Sequence, residues 1–175
     1  VVRVPPAVGL FPDPDVAREA ATMRALAAHA AAPVPDVLAH ERGDEVLGGE
    51  FLLLERAYGK VPGDDPPFVA AGWVVELSDE QRATMYDSAL RAIAGIQSVD
   101  LETSGIAALY PDAAAATSMD AEIQHWRDFY AWARSKEGQS PLIEQAIERL
   151  AATAPAIEGP HVPIWGDARF GNLMF

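Results

Sequence analysis

The closing stretch of the sequence, residues 165–175, carries an acid and an amide at a spacing that could support chemistry. Asp167 and Asn172 lie five positions apart in a glycine-containing loop between an apolar run that ends at Trp165 and a second one, Leu173–Phe175. A carboxylate can take the proton of a hydroxyl nucleophile, and an amide oxygen can bind Mg²⁺. The pattern predicts a buried strand, a tight polar loop and a second strand. Because Gly, Asp and Asn are favoured turn formers, an ordinary turn between two strands is the alternative.

The composition of the 175 residues bounds the class of protein. Half of them are hydrophobic, which allows a sizeable core in one domain or slightly more. The absence of cysteine excludes a disulfide framework and thiolate chemistry, and a reducing cytoplasm is the expected location. The net charge of −13 argues against a nucleic-acid partner, and no apolar run is long enough to suggest a membrane partner. The acidity could attract a cationic ligand, although plain solubility is the favoured explanation.

Both ends of the sequence have the character of interior segments. Val1 opens an apolar, strand-like run, and Phe175 closes another. Because terminal strands need partners, we expect the chain to be a fragment of a longer protein.

The elements that would position the closing loop begin with strands. Three strand-like segments are Val1–Val4, residues 37–40 and the continuous apolar run Phe51–Leu54. A helical pattern from Val16 to Ala30 separates the first two segments, after a turn-rich loop at Gly9–Pro14.

Capping signals mark three helix starts. Asp13 or Asp15 is the candidate N-cap of the first helix. Ser78–Gln81 has the composition of a capping box, and Ser140–Pro141 is a favourable N-cap and N1 pair.

Three helical segments follow the strands. Apolar residues recur at helical spacing over residues 85–96, 123–133 and 142–150, whereas residues 100–117 are predicted to be irregular. The aromatic stripe of the second segment, which includes Trp126, favours a core position over an acceptor pocket. The fold class is therefore α+β, a strand-rich part followed by a helical part.

The order of these elements resembles the aminoglycoside phosphotransferase family, which shares the two-lobed protein-kinase-like fold. The resemblance extends across nearly the whole chain. It is carried by Val1–Pro6, Asp15–Glu19, Phe51–Gly59 and the closing loop, whose Asp-to-Asn spacing is that of a kinase catalytic loop. It implies a truncated fold in which residues 1–58 form a partial nucleotide-binding lobe and residues 59–175 a partial helical lobe.

The resemblance also implies site residues. Asp167 would be the catalytic base, and Asn172 a Mg²⁺ ligand. Arg3 matches the strand position where kinases place a lysine on the ATP phosphates, and Glu19 matches the helix residue that pairs with this cation. A solvated helix-face carboxylate is the alternative for Glu19. The family usually has His where this chain has Trp165, which would act as a structural brace.

The segment that links the lobes would bind adenine through its backbone. The resemblance places the carbonyl of Glu55 and the N–H of Ala57 on the adenine edge, with Leu54 behind the ring, a role compatible with a place in the core. Two family parts are absent from the sequence, a phosphate-covering hairpin before Arg3 and a second metal-binding Asp after Phe175. This fragment alone is therefore expected to be inactive or nearly so.

The resemblance predicts an ATP- and Mg²⁺-dependent phosphotransferase that acts on a hydroxyl of a small molecule. Aminoglycosides, other antibiotics, hydroxyacyl-CoA and other metabolites all remain open as acceptors. Arg3 and the Trp165–Asp167 segment are more similar to the branch linked to hydroxyacyl-CoA metabolism. Two alternatives stand beside this prediction: a catalytically silent kinase-like module that binds a nucleotide or a partner, and an unrelated α+β domain with only a turn at residues 167–172.

Overall fold

A three-stranded antiparallel sheet and six helices make up the computed structural model, which describes residues 1–6, 15–29, 31–116 and 118–175, without the side chains of 135–137. The strands are β1 (Val2–Arg3), β2 (Val37–Glu41) and β3 (Phe51–Leu54). The helices are α1 (Val16–Ala28), α2 (Asp79–Gln97), α3 (Ile106–Leu109), α4 (Pro111–Ala115), α5 (Asp120–Glu137) and α6 (Pro141–Thr153), and a 3-10 turn covers Phe170–Asn172. The predicted α+β class is confirmed. The predicted Gly9–Pro14 loop, the alternative cap Asp13 and the helix residue Ala30 lie outside the described residues.

The central strand β3 organises the sheet, whose strand order is β1-β3-β2. Arg3 and His40 both lie opposite Leu52, so the three side chains project from one face. Leu52 is completely buried and packs against Val16 and Ala20 of α1. The face that carries Arg3 is therefore the one that α1 covers.

Helix α1 begins where its cap predicts and joins two buried clusters. The Asp15 carboxylate accepts the Arg18 N–H at 2.7 Å, so the predicted cap is confirmed. Near the other end of the helix, Leu26 packs with Ile96 and other apolar side chains. The members of this second cluster come from α1, from the end of α2, from α3 and from the segments that follow them: Leu26, Ile96, Val99 and Ile106, with Trp165 packed against them.

The helical half confirms two predictions and corrects one. Ser78 and Gln81 form a complete capping box at the start of α2. Ser140 is the N-cap residue of α6 as predicted, although its hydroxyl makes no capping hydrogen bond. The prediction that residues 100–117 are irregular is wrong, because two short helices, α3 and α4, form there. A left-handed glycine, Gly105, precedes α3, and packing of Ile106 into the Leu26 cluster holds that helix in place.

The predicted strands on either side of the closing loop are absent from the described residues. Neither residues 162–165 nor residues 173–175 form strand, and the loop itself ends in the 3-10 turn. A strand needs a ladder partner. Main-chain pairing of this stretch with another segment is limited to Phe175, which exchanges hydrogen bonds of 2.8 and 3.0 Å with Lys60.

The aromatic stripe of α5 is only partly in the core. Ile123 is buried, whereas Trp126 is 49% exposed and donates its indole N–H to Glu122 at 2.7 Å. The core interpretation is therefore wrong for Trp126. Of the helices in the described part of the chain, none combines the length and the apolar character that a membrane span requires.

The turn after α2 should make the free energy of unfolding depend on pH. The Asp100 carboxylate accepts the backbone N–H of Thr103 at 2.7 Å and its hydroxyl at 2.8 Å, and these bonds hold the pKa of Asp100 below its ordinary value of 3.8. Because this pKa is lower in the folded state, the carboxylate stabilises the fold above its ordinary pKa, and the stabilisation disappears as the pH falls through the folded value.

We therefore expect Asp100→Ala to lower the free energy of unfolding most at neutral pH, with the deficit shrinking below about pH 4. Urea unfolding at pH 7, 4 and 3 measures this. Thr103→Val, which keeps the backbone donor, should show a smaller deficit of the same pH dependence. A deficit for Asp100→Ala that is equal at all three pH values would contradict the assignment.

Candidate active site

Asn172 is oriented by the main chain and side chain of Asp167. Its amide nitrogen donates to the Asp167 carbonyl at 2.9 Å and to the Asp167 Oδ2 at 2.8 Å. Because both neighbours are acceptors, the NH₂ group must face them. The amide oxygen of Asn172 is therefore directed away from Asp167 and accepts no hydrogen bond from the described residues.

The two carboxylate oxygens of Asp167 differ in their surroundings. Oδ2 accepts the bond from Asn172 and a second one from Arg169 Nε at 3.1 Å. Oδ1 has no hydrogen-bond partner among the residues that the structure describes. The side chain of Asp167 is 66% exposed, so Oδ1 is open to a donor from outside the protein.

Arg169 lies between two acids. Its Nε contacts Asp167 and its Nη1 contacts Asp64, which is 105 positions earlier in the chain. Its hydrogen bonds to Asp64 and to Asp167, followed by the charges of these two acids, raise the pKa of the Arg169 guanidinium above its ordinary range. The sequence interpretation missed both Asp64 and Arg169. The position of Arg169 inside the closing loop was an available signal, whereas Asp64 carries no local one.

The closing loop packs against the rest of the protein through aromatic rings and a close approach at a glycine. The Phe170 ring lies 4.5 Å from the centre of the Tyr86 ring and stacks on Phe175 at 5.8 Å. A Cβ added at Gly59 would lie 2.6 Å from the carbonyl oxygen of Phe175, so the chain can approach this closely only without a side chain. Trp165, at the entry to the loop, packs on the Leu26 cluster, the bracing position that its place in the sequence implied.

The cation of β1 and the acid of α1 are in contact. Arg3 Nε lies 2.7 Å from the Glu19 carboxylate. The geometry follows from the fold, since Arg3 projects from the face of the sheet that α1 covers. The pair is partly exposed, with 57% of the Arg3 side chain accessible, so the guanidinium can still meet a ligand.

The segment after β3 presents two backbone groups that have no partner in the described part of the chain. The Glu55 N–H donates to the Asp36 carbonyl at 2.8 Å. The Glu55 carbonyl and the Ala57 N–H, both in exposed residues, have no hydrogen-bond partner within the described ranges. Leu54 is half-buried against the Leu52 cluster, so its side chain belongs to the core.

An open groove of about 490 Å³ runs between α2 and Phe175. Its lining is mainly apolar and includes Trp73, Met85 and Phe175, together with the polar residues Glu80 and Ser88. Because Phe175 also stacks on Phe170, the groove borders the closing loop.

The whole chain, residues 1–175, matches the sequence model of the phosphotransferase enzyme family, APH. The chain belongs to this family. Membership supports phosphotransferase chemistry in general terms, and it bears out the resemblance that the closing loop and the ordered segments predicted.

Two curated relatives match this APH chain over a small part of their own length. The "Probable acyl-CoA dehydrogenase IBR3" of Arabidopsis thaliana is 25% identical over 165 residues, which are 91% of this chain and 19% of the relative. "Acyl-CoA dehydrogenase family member 11" of Homo sapiens is 26% identical over 148 residues, 82% of this chain and 17% of the relative. The chain thus spans less than a fifth of the length of these relatives.

The oxygen atoms of the closing loop suit a hard cation such as Mg²⁺. No group of three or more His, Cys, Asp or Glu side chains that could hold a metal occurs within the described ranges. Mg²⁺ commonly binds through one or two protein oxygens and takes its other ligands from water and phosphate. The outward amide oxygen of Asn172, beside the Asp167 carboxylate, fits that requirement.

The Arg3–Glu19 pair of this APH chain should matter for nucleotide binding. Glu19→Gln removes the charge that holds the guanidinium, and we expect the Kd for ATP to rise by about 3- to 10-fold, the effect of weakening one charged hydrogen bond. Fluorescence titration with a labelled ATP analogue measures this. Glu45→Gln, in an exposed turn, is the matched control and should bind as the wild type does. If both variants bind equally well, the pair has no part in nucleotide binding.

Proposed function

We propose that the parent protein, of which this chain is expected to be a fragment, transfers the γ-phosphoryl group of ATP to a hydroxyl of a small molecule. The observation that carries the proposal is that the oxygen atoms of Asp167 and Asn172 in the closing loop have different surroundings. Asn172 and Arg169 fix one carboxylate oxygen of Asp167. The other carboxylate oxygen and the amide oxygen of Asn172 have no hydrogen-bond partner within the described part of the chain. A base and a metal ligand are thereby presented side by side on one short loop.

Asp167 acts as the base. Oδ1 accepts the proton of the acceptor hydroxyl as the hydroxyl oxygen forms its bond to the γ-phosphorus, and the bond to the β,γ-bridging oxygen breaks to release ADP. The two hydrogen bonds to Oδ2 orient the carboxylate, so that Oδ1 is the oxygen offered to the acceptor. Mg²⁺, when bound, neutralises charge on the phosphates, and Asn172 is the residue that would hold it.

The nucleotide binds on the sheet side of the loop. Arg3, held by Glu19, would grip phosphate oxygens, and the unpaired Glu55 carbonyl and Ala57 N–H would receive the adenine edge. This assignment carries with it a two-lobed arrangement, residues 1–58 and 59–175. The position of the whole sheet within residues 1–58 supports that division, although the Leu26 cluster packs across it. Use of ATP makes the cytoplasm the proposed location.

The acceptor we propose first is a hydroxyacyl-CoA. The names of the two relatives refer to acyl-CoA dehydrogenases, and the apolar residues that line the groove beside Phe175 suit an acyl chain. The net charge of −13 works in the opposite direction, since it repels an anionic CoA and favours a cationic aminoglycoside. The two acceptor classes therefore form the two arms of the test.

ADP release by the full-length parent protein in the presence of ATP, Mg²⁺ and each acceptor class tests the proposal. This and the activity measurements below use the full-length protein, because the 175-residue fragment alone is expected to be inactive or nearly so. We expect release to depend on acceptor and to stop on addition of EDTA, with the acceptor gaining one phosphoryl group by mass spectrometry. Stimulation by aminoglycosides alone would replace the proposed acceptor. Binding of ATP without transfer to either class would favour a silent nucleotide-binding module, and failure to bind ATP would overturn the proposal.

A further inference from the structure

We infer that Asp64 is a positioning residue, which holds the catalytic carboxylate in place through Arg169. The inference rests on the proposed function, since it gives Asp64 a part in the same reaction. Arg169 contacts Asp167 through Nε and Asp64 through Nη1. A guanidinium is planar and rigid, so two carboxylates bound at different nitrogen atoms are fixed relative to each other.

The exposure of these groups argues for a geometric role. The side chains of Asp64, Arg169 and Asp167 are 58%, 50% and 66% exposed. Exposed ion pairs contribute little to folding stability. A half-exposed arginine with a single anchor would also be free to change rotamer, whereas the second anchor at Asp64 restricts it. The effect of Asp64 is therefore on the direction of the Asp167 carboxylate.

Gly171 marks a second place where the Asp64 carboxylate lies close against the loop. A Cβ added there would stand 2.7 Å from both carboxylate oxygens of Asp64 and 2.8 Å from Nη1 of Arg169. A Cβ does not approach other atoms this closely, so a residue other than glycine would push the ends of the Asp64 and Arg169 side chains aside. Asp64 and the closing loop thus fit each other at two points, the guanidinium and the Gly171 backbone.

The chain around Asp64 adds a third attachment. Lys60, four residues earlier, exchanges two backbone hydrogen bonds with Phe175 at the end of the loop. The segment from Lys60 to Asp64 is therefore attached to the loop at both of its own ends. The segment between β3 and Asp64 also carries Glu55 and Ala57, the proposed adenine contacts. Asp64 therefore connects the nucleotide side of the site with the proposed base, Asp167.

Asp64→Ala should lower kcat for phosphoryl transfer by about 10- to 100-fold, the usual consequence of misplacing a reacting group by an ångström. The KM for ATP should stay within about twofold, since Asp64 makes none of the proposed nucleotide contacts. Asp65→Asn is the matched control. It removes a charge one residue away, its carboxylate has no partner within the described ranges, and its kcat should equal that of the wild type. Asp64→Asn, of nearly the same shape, replaces Asp64→Ala if that variant does not fold.

A double-mutant cycle and hydrogen exchange separate positioning from general damage. Arg169→Ala should be as slow as Asp64→Ala/Arg169→Ala, because both act through one connection, and Asp64→Glu should recover part of the activity. Amide exchange over residues 166–175 should quicken in Asp64→Ala and remain unchanged in Asp65→Asn. Additive effects in the cycle, or equal losses of kcat for Asp64 and Asp65 variants, would overturn the inference.

Exchange also distinguishes this inference from the proposed function. Faster loop exchange in Asp64→Ala, in a wild-type protein that transfers no phosphoryl group to either acceptor class, would leave the connection standing and remove the function. If phosphoryl transfer is normal and neither kcat nor exchange changes in Asp64→Ala, the proposed function stands and the positioning role of Asp64 is overturned.

Discussion

Asp167→Asn should lower kcat for phosphoryl transfer by about 10²- to 10⁴-fold, the range over which general bases contribute. The amide is nearly isosteric, so the loop should keep its shape, but it cannot take the proton of the acceptor hydroxyl. The Kd for ATP should change by less than about threefold, because the proposed nucleotide contacts lie on Arg3, Glu55 and Ala57. Single-turnover phosphoryl transfer together with fluorescence titration measures both quantities.

The control for this prediction is Asp65→Asn, which changes the acid next to the positioning residue Asp64. It has the same charge change and lies close to the loop, and it should turn over at the wild-type rate. A fully active Asp167→Asn protein would remove the base from the mechanism. A variant that lost ATP binding and transfer together would assign Asp167 to ligand binding.

Gly95→Ala should destabilise the fold by about 1–3 kcal/mol, which is the usual cost of forcing an extra group into a packed region. Gly95 lies inside α2, where alanine alone would be favourable by about 1 kcal/mol. Here an added Cβ would stand 1.8 Å from the carbonyl oxygen of Ala31, a backbone atom that cannot rotate away. Since Ala31 packs on the Leu26 cluster, the displacement should spread to the end of α1 and to Trp165.

Thermal unfolding measures the effect of Gly95→Ala, and we expect the Tm to fall by several degrees. Gly49→Ala is the matched control, because an added Cβ there meets nothing within 4 Å. It should change stability by less than about 0.5 kcal/mol. A Gly95→Ala protein as stable as the wild type would mean that α2 and the segment after α1 are farther apart than the structure places them.

The sequence predicted the elements whose signals are local. A continuous apolar run identified β3, a capping box located the start of α2, and Asp15 marked the start of α1. Each of these signals lies within a few residues of the structure that it specifies. The family resemblance added the contact between Arg3 and Glu19, which no local pattern contains.

The features that the sequence analysis missed depend on distant partners. The runs around the closing loop have the composition of strands, but within the described residues they lack a ladder partner. Asp64 becomes part of the site only because Arg169 reaches it across 105 positions. Helix α3 is too short to form from propensity alone, and burial of Ile106 stabilises it. In each case the deciding interaction is tertiary.

Helix α1 connects the Leu26 cluster mechanically to the Arg3–Glu19 pair. Its 13 residues make a rod about 20 Å long. Leu26 fixes one end in a buried cluster, and Ala20, next to Glu19, is packed against Leu52 of the sheet. A tilt of about 5° at Leu26 would carry Glu19, ~10 Å away, through ~1 Å. A cavity left by Leu26→Ala would thus displace the Glu19–Arg3 pair and the contact between Ala20 and Leu52, without any change to the residues there.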